Sequence, residues 1–191
     1  ARSTGEVIEE VDATHHWNKI ATAAWECADP GLQYDDTIND WHTCPESGRI
    51  TASNPCTEYM HLDNSSCNLA SLNLMTFRKD DGSFNGKLFA KAVELIITAM
   101  DISICFADFP TEKIGATTRA YRQLGIGYAN LGALLMSNGL AYDSDAGRAM
   151  AGALPSLITT TAYRSSAAPA AMVGPSDGHA RNANAHTRGG R

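Results

Sequence analysis

The stretch S-N-P-C-T-E, residues 53–58, sets a thiol between an amide and a carboxylate, and a second thiol, Cys67, follows Cys56 by eleven residues. Pro55 locks its own φ and pushes Asn54 toward an extended backbone. In an extended run alternate side chains share a face, so the sequence predicts that Asn54, Cys56 and Glu58 point the same way with the sulfur in the middle. An amide donates and accepts hydrogen bonds, and a carboxylate accepts them or takes a proton. A thiol between the two is equipped for nucleophilic, redox or radical chemistry on a bound hydroxyl compound. Other readings compete. A free cysteine is most often a small buried hydrophobe. His61 offers a partner for a Cys–His nucleophile. Cys27, Cys44, Cys56, Cys67, His42 and His61 are of the right types for zinc at the wrong spacing, so no metal site is expected.

These residues must be held by elements that the sequence also outlines. Apolar positions at helical spacing predict a helix over 6–28, stopped by Asp29-Pro30-Gly31. The polar, turn-rich run that follows reads as ordered loop, with one short strand near 49–52. Cys67 to Met75 reads as a buried strand, and 78–86 as a turn with Asp81-Gly82 at its tip. Lys87 to Phe109 predicts a helix, apolar on most sides and largely buried, ended by Pro110. A short strand at 123–127, a helix at 128–137 closed by Asn138-Gly139, and a helix over 145–164 capped by Ser144 or Asp143 complete the pattern. Pro155 is expected to kink or break that last helix. Strands alternating with helices indicate an α/β chain, helix-rich with few short strands. The terminal S-D-G-H-A-R-N-A-N-A-H-T-R-G-G-R has no apolar periodicity, and 183–191 is expected to be a disordered or truncated tail.

Composition narrows the class. With 191 residues, 43% of them apolar and 19% charged, the chain fits one domain with a sizeable core. A net charge of -6 argues against a nucleic-acid surface. The most apolar run, Leu88 to Phe109, is broken by Lys91, Glu94, Asp101 and Asp108, so no membrane span is expected. Residues 1–16 carry acids and histidines rather than a secretory apolar core. Five cysteines, an odd number with no C-x-x-C pair, point to a reducing cytoplasm, where a cysteine pair that does oxidise is catalytic more often than structural. Gly125-Ile126-Gly127 fails as a dinucleotide fingerprint because Asn130 stands where the third glycine belongs. Small residues there are expected to serve close packing, and Trp17, Trp25 and Trp41 to pack in a core or interface.

Taken whole, S-N-P-C-T-E-Y-M-H-L-D-N-S-S-C-N-L-A-S-L-N-L (53–74) resembles the active-site segment of the ribonucleotide reductase catalytic subunit. Residues 25–45, W-E-C-A-D-P-G-L-Q-Y-D-D-T-I-N-D-W-H-T-C-P, resemble the segment before it, and R-Q-L-G-I-G-Y-A-N-L-G-A-L-L-M-S-N-G-L-A-Y-D-S (122–144) the strand–helix unit after it. The resemblance runs over residues 5–182 and is closer to the adenosylcobalamin-dependent branch (class II) than to the branch with a separate radical-generating subunit. It implies a fragment of a ten-stranded α/β barrel, residues 1–182, carrying a finger loop at 53–62. It further implies that Cys56 becomes a thiyl radical and removes the ribose 3′ hydrogen, and that Glu58 takes the 3′-OH proton. Asn54 would hydrogen-bond the substrate hydroxyls, and Ser53, Asn54, Pro55, Cys56, Thr57 and Glu58 would line the nucleotide site. Cys67 would be one of two cysteines that reduce the 2′ position and end as a disulfide.

The same resemblance implies a ribonucleoside di- or triphosphate substrate, adenosylcobalamin as radical generator, a thioredoxin-type reductant and a possible homodimer of the full-length enzyme. Cys27, Cys44 and Cys105 do not match the partner of Cys67, which the family carries on an earlier strand, so they are read as structural thiols. The effector site and phosphate loop of the family also have no counterpart in this sequence. The chain is thus expected to be a central fragment, inactive by itself. Two other readings stand beside it: the large subunit of a reductase with a subunit-generated radical, and a non-catalytic α/β remnant.

Overall fold

The computed structural model describes residues 1, 3–29 and 31–189. The chain divides into two compact units, Ala1–Ile38 and Asn39–Arg191.

The first unit is built on helix α1, Ala13–Cys27. It starts seven residues later than the apolar spacing predicts, because Asp12 claims the N-terminus: its carboxylate accepts the His15 N–H at 2.6 Å. Ala28, at φ 60°, closes the helix with its N–H on Ala24 O. Trp17 and Trp25 are exposed on it, as Trp41 is in the second unit, so of the core or interface packing expected of them none takes the core position within this chain. A short helix α2, Asp35–Asp40, occupies part of the run expected to be loop, with two acids in its first turn.

In the second unit, residues 49–52 do not form the expected strand. The Asn39 side chain substitutes for a neighbouring strand there, donating from Nδ2 to Ile50 O at 3.1 Å and accepting the Ile50 N–H on Oδ1 at 2.9 Å. Two strands are present among the described residues: β1, Asn68–Asn73, and β2, Leu124–Ala129. They pair in parallel, with Asn68 opposite Leu124 and Asn73 opposite Ala129. A parallel pair needs a crossover. It is supplied by α3, Gly86–Ile104, and by α4, Glu112–Tyr121, a helix that the apolar spacing did not predict. Strand β1 stops short of Met75 because Asn73 caps the 3-10 turn Leu74–Phe77 with its side chain.

Helix α3 buries one stripe, Phe89, Val93, Ile97, Met100 and Ile104, at the 3–4 residue spacing of a single helix face. Leu88, Leu95 and Ile102 remain exposed, so the helix is half-covered rather than largely buried, and it ends at Ile104 instead of Phe109. Phe89, Val93, Ile97 and Met100 of this stripe share one core with Leu74 and Phe77, Leu134 of α5 (Leu131–Ser137), and Leu154 and Ile158 of α6 (Asp145–Val173). Helix α6 runs unbroken as helix from Asp145 to Val173, through both Pro155 and Pro169. An internal proline costs about 3 kcal/mol. The buried stripe Leu154, Ile158, Thr161 and Ser165 lies just before and beyond Pro155 and outweighs that cost.

The tail expected to be disordered from 183 is instead helix α7, His179–Gly189; residues 190 and 191 lie outside the described residues. One buried side chain explains it. Asn182 accepts the Glu46 N–H at 3.0 Å and donates to Ser47 Oγ at 2.7 Å and Gly178 O at 2.8 Å. A single polar anchor carries no apolar periodicity, which is why the pattern did not reveal the helix.

Candidate active site

Ser53 and Met60 form an antiparallel bridge, which closes residues 54–59 into a loop. Inside it, the Thr57 N–H donates to Asn54 O at 3.1 Å, and the Tyr59 N–H donates to Asn54 Oδ1 at 2.9 Å. Thr57 sits at φ 68°, a left-handed conformation that a β-branched residue rarely adopts. The segment is therefore a turn and not the extended run expected. Proline favours the second position of a turn as readily as an extended chain, and the Asn54 side chain bonds a backbone N–H within its own loop. The strand-like alternation expected to give the three residues a shared face consequently does not apply. What the turn achieves is exposure: Pro55, Cys56, Thr57 and Glu58 are exposed at its tip, while Ser53 and Asn54 are half-buried at its base.

Cys67, half-buried, lies just ahead of β1 and is pinned on both sides. The Ser66 N–H donates to Thr118 Oγ1 at 3.0 Å, on a residue buried in α4. The Asn68 N–H donates to Gln123 O at 3.1 Å, and Asn68 Nδ2 reaches Met100 O at 2.9 Å. On the facing strand, a Cβ at Gly125 would lie 3.1 Å from Cys67 Sγ and 2.6 Å from Leu69 Cδ2, so the absence of a side chain there makes room for the thiol. Burial pushes the Cys67 thiol up, and the Glu58 charge pushes it further. Cys67 is therefore protonated at neutral pH, and Glu58 and Cys67 share one electrostatic neighbourhood. All five cysteines are free; Cys44 is buried, whereas Cys27 and Cys105 are exposed and do not have the packed position expected of structural thiols.

Behind the loop lies a buried polar and aromatic cluster. The Tyr59 hydroxyl donates to Ser65 Oγ at 2.9 Å, and burial is the main cause that raises this phenol to about 12. His61 stacks on Tyr59 with centroids 5.9 Å apart, and meets Tyr121 edge-on at 5.5 Å and His42 at 6.0 Å. Its Nε2 lies 3.0 Å from the Gln123 amide nitrogen. Burial first, and the neighbouring His42 second, lower His61 to about 4; burial likewise lowers His42. His61 thus faces Gln123 and rings rather than Cys56, so the Cys–His nucleophile is not formed. No three metal-binding side chains converge among the described residues. Tyr59, Thr118 and Gln123 were not among the residues that sequence reasoning marked. A glutamine at the head of an otherwise apolar strand was the one signal for the last of these.

The chain is similar to known proteins over nearly its whole length. The family "Ribonucleotide reductase, barrel domain" matches residues 2–189. A vitamin B12-dependent ribonucleotide reductase of Streptomyces coelicolor is 73% identical over 192 residues, covering 98% of this chain and 20% of that protein. One from Agrobacterium fabrum is 48% identical over 184 residues, covering 95% of this chain and 14% of that protein. The solved class Id ribonucleotide reductase alpha subunit of Actinobacillus ureae shares the fold, with a TM-score of 0.67 at 21% identity over 87% of this chain and 33% of its own. The fold and the match together define part of a ribonucleotide reductase barrel domain, and the chain belongs to the ribonucleotide reductase family. It spans about a fifth of the length of the Streptomyces relatives it matches.

Proposed function

We propose that the full-length protein carrying this segment reduces ribonucleotides to deoxyribonucleotides through a thiyl radical on Cys56. The observation that carries the reading is the clasped loop 53–60, which exposes a thiol and a carboxylate at its tip. A radical carrier must reach both its generator and the substrate, and the most accessible sulfur of the loop segment is Cys56. As a thiyl, Cys56 takes the 3′ hydrogen of the ribose and becomes a thiol. Glu58, exposed beside it, takes the 3′-OH proton. Asn54 has committed Oδ1 to the loop, so its NH₂ end is the part suited to a substrate hydroxyl. Cys67, held protonated, supplies a proton and an electron at the 2′ position as the hydroxyl leaves as water. A second thiol supplied by the rest of the full-length protein gives the other proton and electron as the pair closes to a disulfide, and Cys56 returns its hydrogen to the 3′ carbon and is a thiyl again.

The names of the relatives point to adenosylcobalamin as the generator. What this chain's residues fit is the acceptor end of such a group: an exposed thiol on a strained loop. Bound there, such a group would provide the unpaired electron that the Cys56 thiol receives. The substrate would be a ribonucleoside di- or triphosphate, the reductant of the thioredoxin type, the assembly a homodimer and the location the cytoplasm. No helix among the described residues is long and apolar enough to cross a membrane.

The test is deoxynucleotide formation by the full-length enzyme with adenosylcobalamin and a dithiol. The Cys56→Ser variant is expected to lose at least about 10³-fold in kcat, since no other group carries the radical. Retention of activity by that variant would refute the assignment.

A further inference from the structure

We propose that the hydrogen bond between His61 and Gln123 is a positioning device that holds loop 53–60, with Cys56 and Glu58, in register with Cys67. This rests on the function proposed above and adds residues to it.

Gln123 sits where two lines of contact meet. Its side-chain amide nitrogen is 3.0 Å from His61 Nε2, and its main-chain carbonyl accepts the Asn68 N–H at 3.1 Å. Asn68 follows Cys67 directly. His61 follows the bridge residue Met60, which closes the loop, and Tyr59, whose N–H is clasped by Asn54 Oδ1 at 2.9 Å. One residue therefore ties the trailing limb of the loop to the backbone beside Cys67. Hydrogen-atom abstraction at one carbon and reduction at the next demand fixed spacing between the groups that act on them.

The choice of histidine supports a role for the bond itself. The ring is 5% exposed and clamped between Tyr59, Tyr121 and His42. An aromatic hydrocarbon would fill that box. The amide nitrogen of Gln123 donates, so Nε2 accepts and the ring proton sits on Nδ1, which has no hydrogen-bond partner among the described residues. A buried donor without a partner costs stability. What the ring offers at such a cost, and a hydrocarbon would not, is the acceptor Nε2, and Nε2 meets Gln123.

The experiment uses the full-length enzyme with three substitutions: His61→Phe, His61→Gln and Gln123→Leu. Phe keeps the ring and loses the acceptor; Gln loses the ring but returns an amide oxygen to about the place of Nε2; Leu removes the donor at similar volume. The reading is deoxynucleotide formed per ribonucleotide consumed, alongside thermal melting. Loss of folded enzyme lowers both rates together and leaves that ratio unchanged. Misregister lowers it, because a substrate radical that Cys67 fails to reduce is consumed without product. The ratio is expected to fall about tenfold for Phe and Leu, the equivalent of one lost hydrogen bond, and to return toward the parent value for Gln. If His61→Phe does not fold, Gln123→Leu against His61→Gln gives the same comparison. Parent-like ratios in the Phe and Leu variants, or a higher ratio for Phe than for Gln, overturn the inference while deoxynucleotide synthesis by the parent stands. A parent enzyme that makes no deoxynucleotide, or a Cys56→Ser variant that still makes it, overturns the function and this inference together.

Discussion

The tip of the loop and the core beneath α3 solve opposite problems. At the tip, four consecutive residues from Pro55 to Glu58 are exposed, one of them in a left-handed conformation, and the loop is held by a few short hydrogen bonds. In the core, Leu74, Phe89 and Val93 have no exposed surface, and Phe77, Phe84 and Phe89 pack edge-on or tilted at 4.9–6.1 Å. The core gains its stability from area removed from water, which is non-directional and tolerant of small shifts. The tip has almost no such area, so its geometry depends on directional bonds and on the limb that follows, where Tyr59 and Met60 are half-buried and His61 and Leu62 are buried. Reactive groups can be exposed only because the next few residues are not.

Three measurements on the full-length protein break or sharpen this contrast. Phe89→Ala should have the largest effect, a loss of about 3–5 kcal/mol, because a fully buried ring leaves a cavity. Hydrogen–deuterium exchange over residues 86–104 reads it. Protection unchanged there would mean that the core does not rest on this ring.

Acid should act on the limb behind the loop rather than on the α3 core. His61 titrates at about 4 in the folded chain against a usual 6.5, so the folded state binds fewer protons than the unfolded one in that window. The stability this contributes is complete above pH 6.5 and is lost as pH falls toward 4. His42 shifts in the same direction. At about 1.4 kcal/mol per unit, His61 alone accounts for roughly 3 kcal/mol. Exchange at residues 59–68 should rise between pH 6.5 and 4 before α3 responds, and His61→Phe should remove most of that slope. A pH-independent limb would refute the account.

Thr57→Gly should have the smallest effect on folding. Removing a β-branched side chain from the left-handed region relieves about 1–2 kcal/mol, and glycine's added freedom in the unfolded chain returns about 0.4–1 of it. A gain of between about 0 and 1.6 kcal/mol is expected, together with a fall in kcat as the tip loses definition. Equal activity would show that the strain at Thr57 has no catalytic role.

The sequence marked the candidate residues and the main elements. Asn54, Cys56 and Glu58 were marked by type and spacing and Cys67 by the family resemblance, β1 by its length and flanks, α3 by its apolar run, and Ser144 and Asn138 by their capping habits. Local rules sufficed there because each signal and its consequence lie within a few residues. Tertiary structure decided the rest wherever a polar side chain met a distant backbone. Asn39 replaced a strand at Ile50, Asn182 folded α7 onto the turn at 45–47, and Gln123 joined His61 to the strand beside Cys67. The same holds for the helix that passes through Pro155, where burial of its flanks overrides a local penalty. A single amide leaves no period in a sequence, and which backbone it will satisfy is settled only when the chain brings the two together.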